Sequence, residues 1–271
     1  MTDLKAVIFD WAGTVVDYGS RAPMGAFVEV FRRFGVPLTI EQARGPMGLP
    51  KRDHIAALGR LAHVPGAWKE ANGTDWAEAA IDAIYAVFVP MNADVVLDYA
   101  DLIPGAAETA AALRARGLKI GSTTGYTREI MEPLLPRAAE QGFTADSLVC
   151  AGDLPFGRPT PLNIYRTFLD LAVWPAHASI KVDDTVPGIA EGRSAGTWTV
   201  GITLSGNGVG LSQEEVLALS NEERAARIER AAAPLKAAGA DYIIDSVADL
   251  LPVVEAIEAR LAAGEGPAVA A

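Results

Sequence analysis

Four groups of residues have the types and the order needed for phosphoryl chemistry. Asp10 ends the apolar run Ala6-Val7-Ile8-Phe9 and opens the small-residue turn Trp11-Ala12-Gly13-Thr14. Thr123 and Thr124 close the run that begins at Leu118, and Arg158 follows the run Ser147-Leu148-Val149-Cys150 in Gly157-Arg158-Pro159. Asp183-Asp184 follow Ser179-Ile180-Lys181-Val182. Each group stands just past a short apolar run that reads as a buried strand, and open α/β sheets bind ligands beyond the carboxyl ends of their strands. A carboxylate nucleophile needs its own charge masked, the phosphoryl oxygens clamped and the developing charge neutralised. Mg²⁺ held by Asp10 and the acidic pair supplies the first and third. A Thr hydroxyl, an Arg and the backbone amides around Ala12 and Gly13 supply the second. Taken singly, Asp183-Asp184 reads as a solvated turn, Arg158 as a surface charge and Thr124 as a strand-end hydroxyl. Their joint order at successive strand ends is what points to chemistry.

The elements that must position these groups alternate. Beyond residue 100, strands over 118–124, 147–150, 179–182, 197–202 and 241–244 are separated by helices near 106–116, 128–140, 161–171 and 186–195. This pattern predicts an α/β fold, a doubly wound, Rossmann-like parallel sheet. Residues 212–239, rich in Glu, Arg and Ala, read as helical. Between the first strand and residue 100 the spacing is helical throughout. Met24, Phe27, Val28, Phe31 and Phe34 lead to a Gly35 stop, Thr39-Ile40-Glu41-Gln42 reads as a capping box, and Pro50 suits the first position of a helix carrying Ile55, Leu58 and Leu61. A further helix is expected over 75–88, with Trp76, Ala80, Ile84 and Phe88 on one face. The organisation expected is a core of residues 1–20 and 100–271, a helical insert over 21–99, and a frayed tail over 262–271.

The 271 residues carry a net charge of −11, which argues against nucleic acid as a partner. There is no run of eighteen apolar residues, so no membrane partner is expected. The start lacks a signal-peptide pattern, and the single cysteine, Cys150, suits a reducing cytoplasm as a core residue.

Asp10 with Thr14, Thr124, Arg158 and Asp183-Asp184 together resemble the haloacid dehalogenase-like superfamily, and the helical insert matches that superfamily's cap position. Two residues depart from its usual phosphatase pattern. Ala12 occupies the position where those phosphatases carry a second Asp that protonates the leaving oxygen; loss of such an acid costs about two to four powers of ten. Lys51 lies in Met47-Gly48-Leu49-Pro50-Lys51-Arg52-Asp53-His54, at a helix start beside Arg52. Both neighbours disfavour the ammonium and favour a neutral amine able to condense with a carbonyl. Together the two departures make sense of each other. A carbon–phosphorus bond breaks heterolytically when an adjacent iminium accepts the electrons, and no acid at position 12 is then required.

This combination resembles the phosphonatases, the phosphonoacetaldehyde-hydrolysing family of that superfamily. The likeness spans nearly the whole chain, from Phe9–Thr14 and Asp17-Tyr18-Gly19 through Gly121–Arg128 to Ala195–Gly201. The resemblance implies cleavage of phosphonoacetaldehyde to acetaldehyde and phosphate, within the degradation of 2-aminoethylphosphonate, through a Lys51 imine and an Asp10 aspartyl-phosphate. It also implies Mg²⁺ on Asp10, the Ala12 carbonyl and Asp184, and a phosphonate held by Thr124, Arg158 and the amides of Ala12 and Gly13. Met47, Gly48, His54 and Tyr126 would line the site, with His54 or a water relaying protons to Lys51. Asp183 and Ser20 are further candidates. Relatives often carry Gly-Asp with another Asp four residues on, where this chain has Asp183-Asp184 and Gly188. A homodimer paired through cap helices is implied as well. The competing readings are a capped phosphatase or phosphomutase, a silent binding protein on the same fold, and an imine-forming aldolase.

Overall fold

The computed structural model describes residues 3–268. Six strands, β1 (Ala6–Phe9), β2 (Lys119–Thr123), β3 (Ser147–Val149), β4 (Ser179–Asp183), β5 (Trp198–Ile202) and β6 (Tyr242–Ile244), form one parallel sheet in the order β3-β2-β1-β4-β5-β6. Alternate residues of β1 serve opposite faces. Val7 and Phe9 join the larger apolar core, while Ala6 and Ile8 pack with Ile164, Phe168 and Leu171. Burial on both faces is why the strands read as continuous apolar runs. The winding reverses between β1 and β4, and the crevice at that switch is the expected ligand position. Phe9 pairs with Ser122 on one side and Val182 on the other. The next residues, Asp10, Thr123 and Asp183, therefore stand level at the carboxyl edge.

Between β1 and β2 the chain is helical: α1 (Ala22–Arg33), α2 (Ile40–Arg44), α3 (Lys51–Leu58), α4 (Val64–Asn72), α5 (Glu78–Val96) and α6 (Ala106–Ala115). The Thr39 capping box forms, with Thr39 Oγ1 accepting from the Gln42 N–H at 3.1 Å and the Gln42 side chain accepting from the Thr39 N–H at 3.0 Å. Pro50 sits one place earlier than expected. It is extended (φ −50°, ψ 142°) and caps α3, so Lys51 is the first helical residue. The helix expected over 75–88 starts and ends later. Trp76 precedes it, packing edge-on to Trp68 and stacked on Phe31, and α5 runs past Pro90 because that proline lies on the exposed side. α5 and the turn after it, 78–99, are long and apolar enough to cross a membrane by length and composition; 39% of that apolar stretch is buried, and α5 packs on α1, α3 and α7 (Arg128–Glu140).

The remaining helices are α8 (Leu162–Leu171), α9 (Val186–Ala195), α10 (Gln213–Leu217), α11 (Asn221–Ala237) and α12 (Leu250–Ala262). The stretch 212–239 is helical as expected, in two helices opened by capping boxes at Ser212 and Ser220. In the tail expected to fray, residues 263–268 lie in no helix or strand. Ala262 closes α12, Glu265 pairs with Arg260, and the Ala268 N–H donates to Asp241 Oδ1 at 3.2 Å. Residues 269–271 of that tail, like Met1 and Thr2 at the start, lie outside the described residues.

Candidate active site

Nine of the residues singled out above meet around one cavity at the switch point. Asp10, Ala12, Ser20, Thr124, Tyr126 and Arg158 come from the strand-end loops, and Met47, Gly48 and Lys51 come from the approach to α3. The cavity is tight, about 20 Å³ measured to the centres of water molecules, room for one. Close approach of the helical segment to the sheet makes it so. Gly48 has φ +93°, and a Cβ there would lie 2.2 Å from Thr185 Oγ1, so only glycine lets this loop lie against the loop after β4.

Arg158 is the hub of the strand ends. Its Nη2 donates to Asp10 Oδ1 at 2.8 Å and to the Thr123 carbonyl at 2.5 Å, and its Nε donates to Glu191 Oε2 at 3.0 Å. Asp183 Oδ2 lies 3.3 Å from Arg158 Nη1 and 3.0 Å from Lys181 Nζ. Its Oδ1 accepts from the Thr185 N–H and hydroxyl at 3.0 and 2.6 Å. Lys181 Nζ also donates to Thr123 Oγ1, whose hydroxyl donates to Glu191. These groups are buried, and a buried charge of this kind is tolerable only when paired and hydrogen-bonded. Burial works against the Asp183 carboxylate, but Arg158 and Lys181 outweigh it and hold its pKa below the usual range.

Asp184 differs from Asp183. It accepts from the Asn207 N–H at 2.7 Å and from Thr14 Oγ1 at 3.4 Å, with no cation in ion-pair distance among the described residues. Burial, then Asp10 and Asp183, push its pKa well above the carboxylate norm. Burial and Asp183 likewise raise Asp10, against Arg158 and Lys181. One oxygen from each of Asp10, Asp183 and Asp184 lies within 4.8 Å of the others. This cluster is short of positive charge on the Asp184 side, and its donors are all oxygen. A hard divalent cation fits such a set.

Lys51 is buried, with Nζ 4.8 Å from the centre of the Tyr126 ring and 5.6 Å from that of Phe27. Its pKa is lowered to about 8, by burial first; Asp10 opposes this and Arg158 adds to it. Arg52, expected to help, does not face it. Its guanidinium reaches out to Glu78 and Asp82 at the surface. The neutral amine is thus far more accessible near neutral pH than in an ordinary lysine.

Gly13, His54, Asp183 and Asp184 stand outside the lining of the cavity itself. His54 does not line the cavity: its ring stacks on Phe27 and its Nε2–H donates to the Ala43 carbonyl at 2.8 Å. Burial, then Lys51, drop its pKa to about 3, so the ring is neutral, and its Nδ1 has no partner among the described residues. Gly13 (φ +82°) packs against Asp184 rather than the cavity. Asp183 serves Arg158 and Lys181 more directly than an open cation position. Cys150 is the buried core residue expected, its thiol pushed up to about 12 by burial and Asp153.

Lys181 and Glu191 are neighbours of the site that the motifs do not single out. A lysine inside the buried run Ile180-Lys181-Val182 was the available signal, since a lysine is almost never buried unless paired. Glu191 looks like an ordinary helical acid and carried none. Asp17 (φ +56°) caps α1, accepting from the N–H groups of Arg21 and Ala22 at 2.8 and 2.9 Å; burial raises it to about 6.

Residues 4–196 match the family model of haloacid dehalogenase-like hydrolases. The chain is 59% identical over 267 residues to the phosphonoacetaldehyde hydrolase of Paraburkholderia phytofirmans, covering 98% of this chain and all of that one. It is 49% identical over 268 residues to the protein of the same name from Aeromonas hydrophila, covering 98% and 96%. Among solved structures, a phosphonoacetaldehyde hydrolase-like protein from Oleispira antarctica superposes with a TM-score of 0.96 at 44% identity, over 97% of this chain and 96% of that one.

Proposed function

The chain belongs to the haloacid dehalogenase-like hydrolases, and within that family we propose that it hydrolyses the carbon–phosphorus bond of phosphonoacetaldehyde to acetaldehyde and phosphate. One observation carries the reading. A buried lysine with a lowered pKa shares a cavity with Asp10, while residue 12 offers no acid.

The neutral Lys51 amine adds to the aldehyde and loses water to give a protonated imine. An Asp10 oxygen then attacks phosphorus. The C–P electron pair passes to carbon and on to the iminium nitrogen, leaving an enamine on Lys51 and phosphate on Asp10. Water releases phosphate from Asp10. Protonation of the enamine carbon and hydrolysis of the imine release acetaldehyde and free Lys51. Arg158, Thr124 and the amides near Ala12 hold the phosphonate oxygens, and Arg158 keeps Asp10 Oδ1 oriented at 2.8 Å. Asp10, the Ala12 carbonyl and Asp184 would hold Mg²⁺, which when bound offsets the negative charge gathered on Asp10 and the phosphonate. The proton for Lys51 travels by water in this reading. The helical segment 21–99 acts as a cap over the core of residues 1–20 and 100–271, the compartment is the cytoplasm, and two copies pair through their cap helices.

The test is product formation with Mg²⁺ present. Phosphonoacetaldehyde should yield phosphate and acetaldehyde in equal amounts, and phosphate monoesters should turn over at least about 10²-fold more slowly, for want of an acid at position 12. An ester that outperforms the phosphonate would replace this reading with that of a capped phosphatase or phosphomutase. A second measurement follows from the lowered pKa. Only the neutral amine condenses, so reductive trapping of acetaldehyde on Lys51 should accelerate about tenfold per pH unit and level off above about pH 8. A rate still climbing at pH 10 would mean that burial does not tune Lys51.

A further inference from the structure

Arg44, the last residue of α2, reaches from the helical segment onto the core through neutral oxygens alone. Its Nη1 donates to the Gly19 carbonyl and to Asn207 Oδ1, both at 3.0 Å, and its Nη2 donates to the Gly210 carbonyl at 2.9 Å. Longer contacts run to the carbonyls of Asn207 and Ser20 at 3.4 and 3.5 Å. The acceptors belong to two separated stretches, the turn after β1 and the loop after β5. Asn207 is also the residue whose backbone N–H donates to Asp184 Oδ2 at 2.7 Å, the shorter of the two hydrogen bonds described above for that carboxylate. Four residues beyond Arg44, Gly48 rests against Thr185, next to Asp184 in the chain.

We propose that Arg44 is a positioning residue for Asp184. By gripping the Asn207 side chain it fixes the peptide that orients the Asp184 carboxylate, and so it ties the docking of α2 to the readiness of the acidic cluster for a cation. The planar guanidinium suits this role because it presents several donors in one rigid fork, where an ammonium is a single point. Groups that orient a metal-binding carboxylate commonly change metal affinity by about 10–100-fold. The proposal rests on the reading of Asp184 as a ligand of Mg²⁺.

The experiment is Mg²⁺ titration by calorimetry on the full chain without substrate, for Arg44→Met, Asn207→Ala and the double variant. Each single variant should raise the Mg²⁺ dissociation constant by about tenfold, and the double should be no weaker than the singles, because both break one link. Arg44→Lys should fall between Arg44→Met and the wild type. Should Arg44→Met fail to fold, Arg44→Lys and Asn207→Ala carry the test. A dissociation constant within twofold of wild type in the single variants, or effects that multiply in the double, would overturn the link. Asp184→Asn separates the premise from the proposal. If it binds Mg²⁺ like the wild type, the ligand reading fails and the role of Arg44 with it; if it loses binding while Arg44→Met keeps it, only the role of Arg44 fails.

Discussion

Lys51→Arg should lower phosphate release from phosphonoacetaldehyde by roughly 10⁴–10⁶-fold, the scale of removing a covalent catalyst. Arginine keeps the positive charge but never yields a free amine near neutral pH, so no imine forms. Without an iminium the electrons of the C–P bond have no acceptor, and Asp10 can do nothing with a properly held phosphonate. The substitution isolates chemistry from charge, since a cation stays near Asp10 in both proteins. Two further readouts guard against a damaged fold. Mg²⁺ affinity should stay within about threefold of wild type, because Lys51 is no part of the acidic cluster. Borohydride with the aldehyde should add a stable mass to Lys51 in the wild type and nothing in the variant. Lys51→Met should match Lys51→Arg, although it lacks the larger head that must fit a buried site. Retention of a tenth or more of wild-type turnover by either variant would sink the imine mechanism.

The strand-end groups were legible because of how a parallel sheet is built. A strand buried on both faces is mostly apolar, so the polar residues that close it mark the carboxyl edge, and Asp10, Thr123-Thr124 and Asp183-Asp184 stand there. The residues that hold those groups were not legible by the same route. Glu191 faces inward to Arg158 and Thr123 from a helix whose pattern gives no hint of it. The place of His54 turns on a detail of one helix start. Pro50 caps α3, and three residues after Lys51 the shorter His54 ring stacks on Phe27, where the Ala43 carbonyl accepts from its Nε2–H. No separate helix is expected over α4, whose Pro65 sits in the first turn, where proline is well tolerated. α12 is absent from the expected elements too, although its Leu250, Val253, Val254, Ile257 and Leu261 recur at helical spacing. What lay beyond reach was long-range: which carboxylate meets which cation across the sheet.

The departure at Gly188 is the case in which the structure explains a sequence oddity and makes it testable. Gly188 lies in the first turn of α9, and a Cβ there would stand 1.9 Å from Asp183 Cγ and 2.0 Å from its Oδ2. One small volume thus holds a carboxylate, delivered by residue 183 in this chain, and it leaves no space for a side chain on residue 188. Asp183 is fully buried between Thr185, Lys181 and Arg158, so it cannot swing aside without stranding two cations. Gly188→Ala should therefore displace Asp183, loosen Arg158 from Asp10, and lower kcat/KM by about 10²–10³-fold, the cost of losing one preorganised electrostatic contact. Overpacking and a disturbed buried ion pair should also remove about 1–3 kcal/mol of stability, visible as a fall in thermal midpoint. Asp183→Gly should do comparable damage from the other side, leaving Lys181 and Arg158 short of a partner. Combined as Asp183→Gly/Gly188→Asp, the two changes return a carboxylate to the same volume from α9. The double variant should recover to within about tenfold of wild type, far above either single change. If it is no better than the worse of Asp183→Gly and Gly188→Asp, the two positions do not share one carboxylate site, and Asp183 acts through its attachment to β4 rather than through the space that it fills.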